Sequence, residues 1–96
     1  MDIKVERGIT DGKNYFEIYA RESLQKYFKT YPFLENIKVF FRGNKHAYKK
    51  IKLQANLKGK AIFVEASGLR HDLALDSARM KLRTQFEKVK SKKYKH

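Results

Sequence analysis

Three histidines, two closely spaced aspartates and a crowd of lysines are the residues of this chain that could do chemistry. His46, His71 and His96 fall in a loop, at a helix start and at the terminus, and none has a partner at metal-ligand spacing. Asp72 and Asp76 lie four apart in "RHDLALDSAR", in the first turns of a helix. Carboxylates there cap the exposed N–H groups and complement the positive helix end. A general acid or base needs a converging carboxylate or nucleophile, and the sequence offers none. Absence of cysteine removes disulfides, thiolate metal sites and cysteine nucleophiles. No glycine-rich phosphate loop of either common type occurs. What remains is positive charge, whose chemistry is the recognition of anions. These residues read as a binding protein with no cofactor, not an enzyme.

The charge is unevenly placed. Of 23 Lys and Arg and 10 Asp and Glu, residues 1–36 hold six of each sign, so the entire net charge of +13 lies in residues 37–96. A surface polarised in this way draws polyanions from a distance and speeds encounter with them. Nucleic acid is the expected partner, ahead of an anionic membrane. The 96 residues fit a single domain, 1–96, and the 42% hydrophobic content suffices for a modest core. "MDIKVERGIT" lacks the apolar run of a secretory signal, and no stretch approaches the ~20 apolar residues of a membrane span. These features suit a cytoplasmic protein.

The elements that must position the charge follow from hydrophobic period. "DIKVER" alternates as a short strand and "GITDG" breaks it. From about Tyr15 to Tyr31, Phe16, Ala20, Leu24, Tyr27 and Tyr31 recur at helical spacing, and Pro32 ends that helix. "NIKVFFR" alternates with Ile37, Val39 and Phe41 on one side, and "GNKH" reads as a turn. In "YKKIKLQANL", Ile51, Leu53, Ala55 and Leu57 face in while Lys50, Lys52, Gln54 and Asn56 face out. "KGK" closes a hairpin into "AIFVEAS", with Ile62, Val64 and Ala66 inward, and a second helix runs from about His71 to Lys93.

The expected fold is therefore α+β, in the order β-α-β-β-β-α. Strands 2 to 4 form an antiparallel meander and both helices pack on one face of a four-stranded sheet. Its other face shows Lys38, Phe40, Arg42, Lys50, Lys52, Gln54 and Asn56. That face suits RNA, and equally suits plain solvent, since an antiparallel sheet normally keeps one polar side.

The second helix sorts its charges by angle. At ~100° per residue, Leu75, Ala78, Leu82, Phe86 and Val89 stay within about 60° of one another's mean line, with Lys81, Lys88, Lys92 and Lys95 roughly opposite. Arg79, Arg83 and Lys90 occupy one flank, where stems pack and heads reach water. Glu87 is the only acid among residues 77–96, so the intrahelical ion pairs that usually balance a lysine-rich face are nearly absent.

The order of elements, the length and the segment "EASGLRHDLALDSARMKLRTQFEKVKSKK" resemble the ribosome hibernation-promoting factors, once called sigma-54 modulation proteins. That family opens its last helix with D-x-Y-x-A-I-D and continues K-L-x-R-Q-L-x-K-x-K. Ala74, Leu75 and Asp76 match the first motif; Lys81, Leu82, Gln85, Phe86, Lys88 and Lys90 match the second. Lys26 and Lys29 in "QKYFKTY" resemble the family's K-L-x-K pattern. The family's opening aspartate falls on Arg70 and its arginine on Thr84, with Arg83 one residue earlier. The resemblance is to short-form members, without the dimerisation domain of the long ones.

The resemblance implies binding to the small ribosomal subunit and its rRNA between head and body. There the protein overlaps the mRNA and tRNA sites and silences idle ribosomes in stationary phase or stress. The motif matches and the basic faces of the last helix together give the expected RNA-binding residues as Lys26, Lys29, Arg79, Lys81, Arg83, Lys88, Lys90, Lys92 and Lys93. The resemblance implies a protein that is monomeric off the ribosome and has no small-molecule substrate. Two other readings stay open: a free-standing double-stranded-RNA-binding module, and a protein-interaction module using the open sheet with Phe40 and Phe63.

Overall fold

The computed structural model describes residues 2–7, 14–42 and 49–94, with side chains from 3–5, 16–41 and 49–91. The turns read at "GITDG" and "GNKH", His46, His96 and the side chains of Arg42, Lys92, Lys93 and Lys95 lie outside that description. The elements are β1 (Asp2–Arg7), α1 (Asn14–Thr30), β2 (Leu34–Arg42), β3 (Lys49–Leu57), β4 (Lys60–Gly68) and α2 (His71–Tyr94). This is the expected β-α-β-β-β-α order.

The sheet is four-stranded in the order β1-β2-β3-β4. β2, β3 and β4 form the antiparallel meander, and β1 pairs parallel to β2 with Ile3 opposite Ile37 and Val5 opposite Val39. A parallel pair needs a crossover connection, and α1 supplies it. Alternation places Ile37, Val39, Ile51, Leu53 and Ala55 on one face, all fully buried. Phe16, Ala20, Leu24 and Phe28 of α1 and Ala74, Leu75, Ala78, Leu82 and Phe86 of α2 join them in one core. Both helices therefore cover the same face. Burying each large apolar side chain contributes about 1.5–3 kcal/mol, whereas an exposed ion pair contributes about 0–1 kcal/mol. The core sets the fold and leaves the basic surface for other work.

Three local features fix the joints. The Tyr31 N–H donates to the Tyr27 carbonyl and the Leu34 N–H to the Tyr31 carbonyl, carrying the chain round Pro32 into β2. Gly59, in the two-residue turn between β3 and β4, has φ +87°, the left-handed value that the third residue of a type II turn requires. Gly68 ends β4 against the start of α2: a Cβ there would lie 3.0 Å from the Ala74 nitrogen, so the small side chain lets the helix turn back closely.

Candidate nucleic-acid interface

The two helices run side by side, joined by a polar seam. The Tyr19 hydroxyl donates to Asp76 (2.8 Å), the Tyr27 hydroxyl to the Arg79 carbonyl (3.2 Å) and the Tyr31 hydroxyl to Glu87 (2.5 Å). Contacts thus advance along both helices together, so α1 and α2 are parallel. Arg79 donates to Asp76 at 2.9 Å, and its Nε is buried without a partner among the described residues. Asp76 consequently bridges the helices instead of capping α2. Asp72 does serve the helix start: it accepts from the Leu73 N–H and takes both ends of the Arg70 guanidinium, at 3.0 and 2.6 Å. The hydrogen bonds from Arg70 hold the Asp72 carboxyl below the usual range.

The seam also disposes of the one acid in the second half of α2. Glu87 points to Tyr31, not along the lysine face. Burial, then the Glu87 hydrogen bond and charge, push the Tyr31 hydroxyl up to about 12, with Arg83 opposing. The folded protein thus keeps this proton to higher pH than the unfolded chain, whose tyrosine has the ordinary value of 10. The contribution is complete below pH 10 and lost as pH rises toward about 12. Urea denaturation at rising pH should show stability falling across that window, and Tyr31→Phe should flatten the fall. A wild-type curve with no loss over that range would contradict the seam.

The basic residues of α2 fall on two flanks. Arg79 and Arg83 lie on the α1 side, Arg83 acting electrostatically on Tyr27 and Tyr31, and Lys90 follows Arg83 by two turns. Lys81 lies on the β4 side, where its Nζ donates to the Glu65 carbonyl at 2.8 Å. This corrects the placement of Lys81 opposite the apolar stripe. Ala74 is fully buried as well, so the buried arc is centred nearer to Lys81 than the five stripe residues suggest. Lys88 continues the Lys81 row and is exposed, as are Arg83, Lys90, Lys26 and Lys29. Lys92 and Lys93 lie within the last turn and a half of α2. At 24 residues, α2 is about 36 Å long against about 30 Å for a nine-residue strand, and most of its basic residues lie in its second half. The structure gathers Lys26, Lys29, Arg83, Lys88 and Lys90 on the exposed helical layer and sets Arg79 and Lys81 into local contacts.

Sequence spacing alone gives His71 no partner. Its ring lies 5.1 Å from both Phe16 and Phe41, tilted against the first and edge-on to the second, in an aromatic cluster at the start of α2. The described residues include no group of three or more His, Cys, Asp or Glu that could hold a metal ion, and no helix among them is long and apolar enough to cross a membrane.

On the open side of the sheet, register aligns Asn36 with Asn56 and Ala61, Lys38 with Gln54 and Phe63, and Phe40 with Lys52 and Glu65. The placement of Lys38, Phe40, Lys50, Lys52, Gln54 and Asn56 on this face follows the alternation; Phe63 and Lys4 join them.

A four-stranded sheet backed by two parallel helices, with positive charge on both outer surfaces, defines an α+β domain built for contact with an anionic partner. The chain superimposes over 95% of its length on a ribosomal subunit interface protein from Coxiella burnetii, covering 99% of that chain at TM-score 0.85 and 23% identity. It matches the N-terminal domain of Protein Y from Thermus thermophilus over 93% of its length and 99% of that domain, at TM-score 0.80 and 22% identity. The likeness at these identities is one of fold. No protein-family model matches the chain, and no curated protein sequence does.

Proposed function

We propose that this protein is a ribosome hibernation factor that binds the small subunit through its rRNA and blocks translation by occupying space. The reading rests chiefly on the near-complete overlap with a domain described as a ribosomal subunit interface protein, joined to a net charge of +13. The chemistry is non-covalent. Exposed Lys26, Lys29, Arg83, Lys88 and Lys90 neutralise backbone phosphates and release counterions. A compact basic wedge of this kind reads the shape of folded RNA rather than its sequence. Placed between head and body, near the decoding centre, it excludes mRNA and tRNA while it is bound. Release needs only a competitor, so an idle ribosome in stationary phase or stress is silenced reversibly. The protein acts as a monomer in the cytoplasm, where ribosomes are.

Sucrose-gradient sedimentation with purified ribosomal subunits tests this. The protein should travel with the small subunit at about 50 mM salt and leave it steeply by about 200 mM, with each phosphate contact adding about 0.7–0.9 to the log–log slope. In parallel, translation in vitro should fall as the protein is added. Protein that stays at the top of the gradient at low salt sinks the proposal.

A further inference from the structure

We propose that the open sheet face is a second RNA site, which takes an unpaired, adenine-containing single strand by stacking a base on Phe63 and reading its edge with Gln54. It does not depend on the ribosome reading, because the helices carry that contact and this face points away from them.

The case starts with Phe63, a large apolar side chain left 63% exposed in the middle of β4. The core faces inward at Ile62 and Val64, so Phe63 adds nothing to core packing. Across the sheet, Gln54 of β3 stands beside it in register, with Lys38 of β2 beyond. A second aromatic, Phe40, lies two strands and two residues away, about 12 Å across the pleated surface. Between and around these rings lie amides and cations, the composition of a surface on which successive bases stack.

The amides are arranged in one direction. Gln54 Nε2 donates to Asn56 Oδ1 at 3.1 Å, and Asn56 Nδ2 donates to Asn36 Oδ1. This relay locks the orientation of Gln54. Its carbonyl oxygen and second amide hydrogen remain to face a ligand beside Phe63. One acceptor and one donor side by side match the N6 and N7 edge of adenine, the pairing glutamine makes with that base. On the corresponding groove edge uracil offers only the O4 acceptor, and its smaller ring covers less of Phe63 when stacked. Bases of single strands expose such edges, whereas an RNA duplex buries them in a groove that side chains cannot enter.

Charge favours RNA over an apolar peptide on this face. The acid Glu65 is paired with Lys50 at 3.5 Å, while neither Lys38 nor Lys52 pairs with a carboxylate among the described side chains. They flank Gln54 in register and along the strand, where phosphates of a strand stacked on Phe63 would pass.

Fluorescence anisotropy with labelled oligo(A) and oligo(U) about eight nucleotides long, and with a duplex of equal length, tests this on purified protein without ribosomes. Oligo(A) should bind tightest. Phe63→Ala should weaken it about fivefold to a hundredfold, the range for losing one base stack, while Phe63→Tyr should retain it. Gln54→Leu should remove the preference for A over U and leave residual affinity. Should Phe63→Ala fail to fold by circular dichroism, Gln54→Leu and Phe63→Tyr decide the matter. Lys88→Glu with Lys90→Glu should leave oligo(A) binding within about threefold, since a distant face contributes only long-range charge. Equal binding of duplex and single strand, an unchanged Phe63→Ala, or loss confined to the helix variant would each overturn the proposal. Failure here with intact ribosome sedimentation leaves the hibernation reading standing, and the reverse result leaves the sheet site standing.

Discussion

Replacing Lys26, Lys29, Lys88 and Lys90 together by glutamate is expected to lower affinity for the small subunit by two orders of magnitude or more, with the fold intact. All four are exposed, so no core contact is lost, and surface changes of this kind usually shift stability by about 0.5 kcal/mol or less each. Each reversal also replaces attraction with repulsion at a phosphate. The four neutral glutamine changes should give an intermediate loss and reduce the salt slope by up to about 0.7–0.9 per contact removed. Sedimentation with small subunits across a salt series provides the slope, and circular dichroism melting checks the fold. A quadruple glutamate variant that binds like wild type would make the helical face a solubility device and move the contact to Lys38, Lys50 and Lys52 on the sheet. Glu87 makes the prediction sharper. Because Tyr31 holds that carboxylate at the helix seam, it neutralises little of the lysine surface.

The fold was legible because its hydrophobic period changes cleanly. Ile51, Leu53, Ala55 and Leu57 can share a face only in a strand, and Leu75, Ala78, Leu82 and Phe86 only in a helix. Side-chain period is local, so it reads without knowledge of partners. The edge position of β1 was not legible, since Ile3 and Val5 would suit either edge of the meander; the α1 crossover puts them beside Ile37 and Val39. The helix seam escaped as well. Tyr27 and Tyr31 read simply as members of the apolar stripe and Tyr19 as a neighbour of Ala20, and the hydroxyl partners of all three lie 52–57 residues away. Phe28 is hidden for the opposite reason: it stands one turn after Leu24 yet falls next to Tyr27, which fits the same stripe. The candidate site divides in the same way. Exposure of Lys26, Lys29, Lys88 and Lys90 could be read from angle, but the turning of Lys81 onto the Glu65 carbonyl depends on a strand 16 residues upstream.

Phe86→Ala should be the most damaging single change in the chain. The ring is fully buried and meets Tyr31, Tyr27 and Phe33 at centroid distances of 4.9, 5.7 and 6.0 Å, with the Tyr27 contact edge-on at 88°. Truncation removes the transfer energy of the ring and leaves a cavity at the point where α1, α2 and the start of β2 converge. Such changes cost about 3–5 kcal/mol, out of a total stability of about 5–15 kcal/mol for a domain of this size. The melting temperature should fall by about 15–30 °C. Phe86→Leu keeps most of the volume and should recover about half of that loss. Ribosome association should weaken along with stability in Phe86→Ala, because the basic residues of the two helices share one layer only while the helices stay packed through this ring. The lysine variants should behave oppositely, with binding lost and melting unchanged. A Phe86→Ala protein that melts within a few degrees of wild type would mean that the three aromatic neighbours close over the gap, and that the seam hydroxyls of Tyr27 and Tyr31, not the ring between them, hold the helices in register.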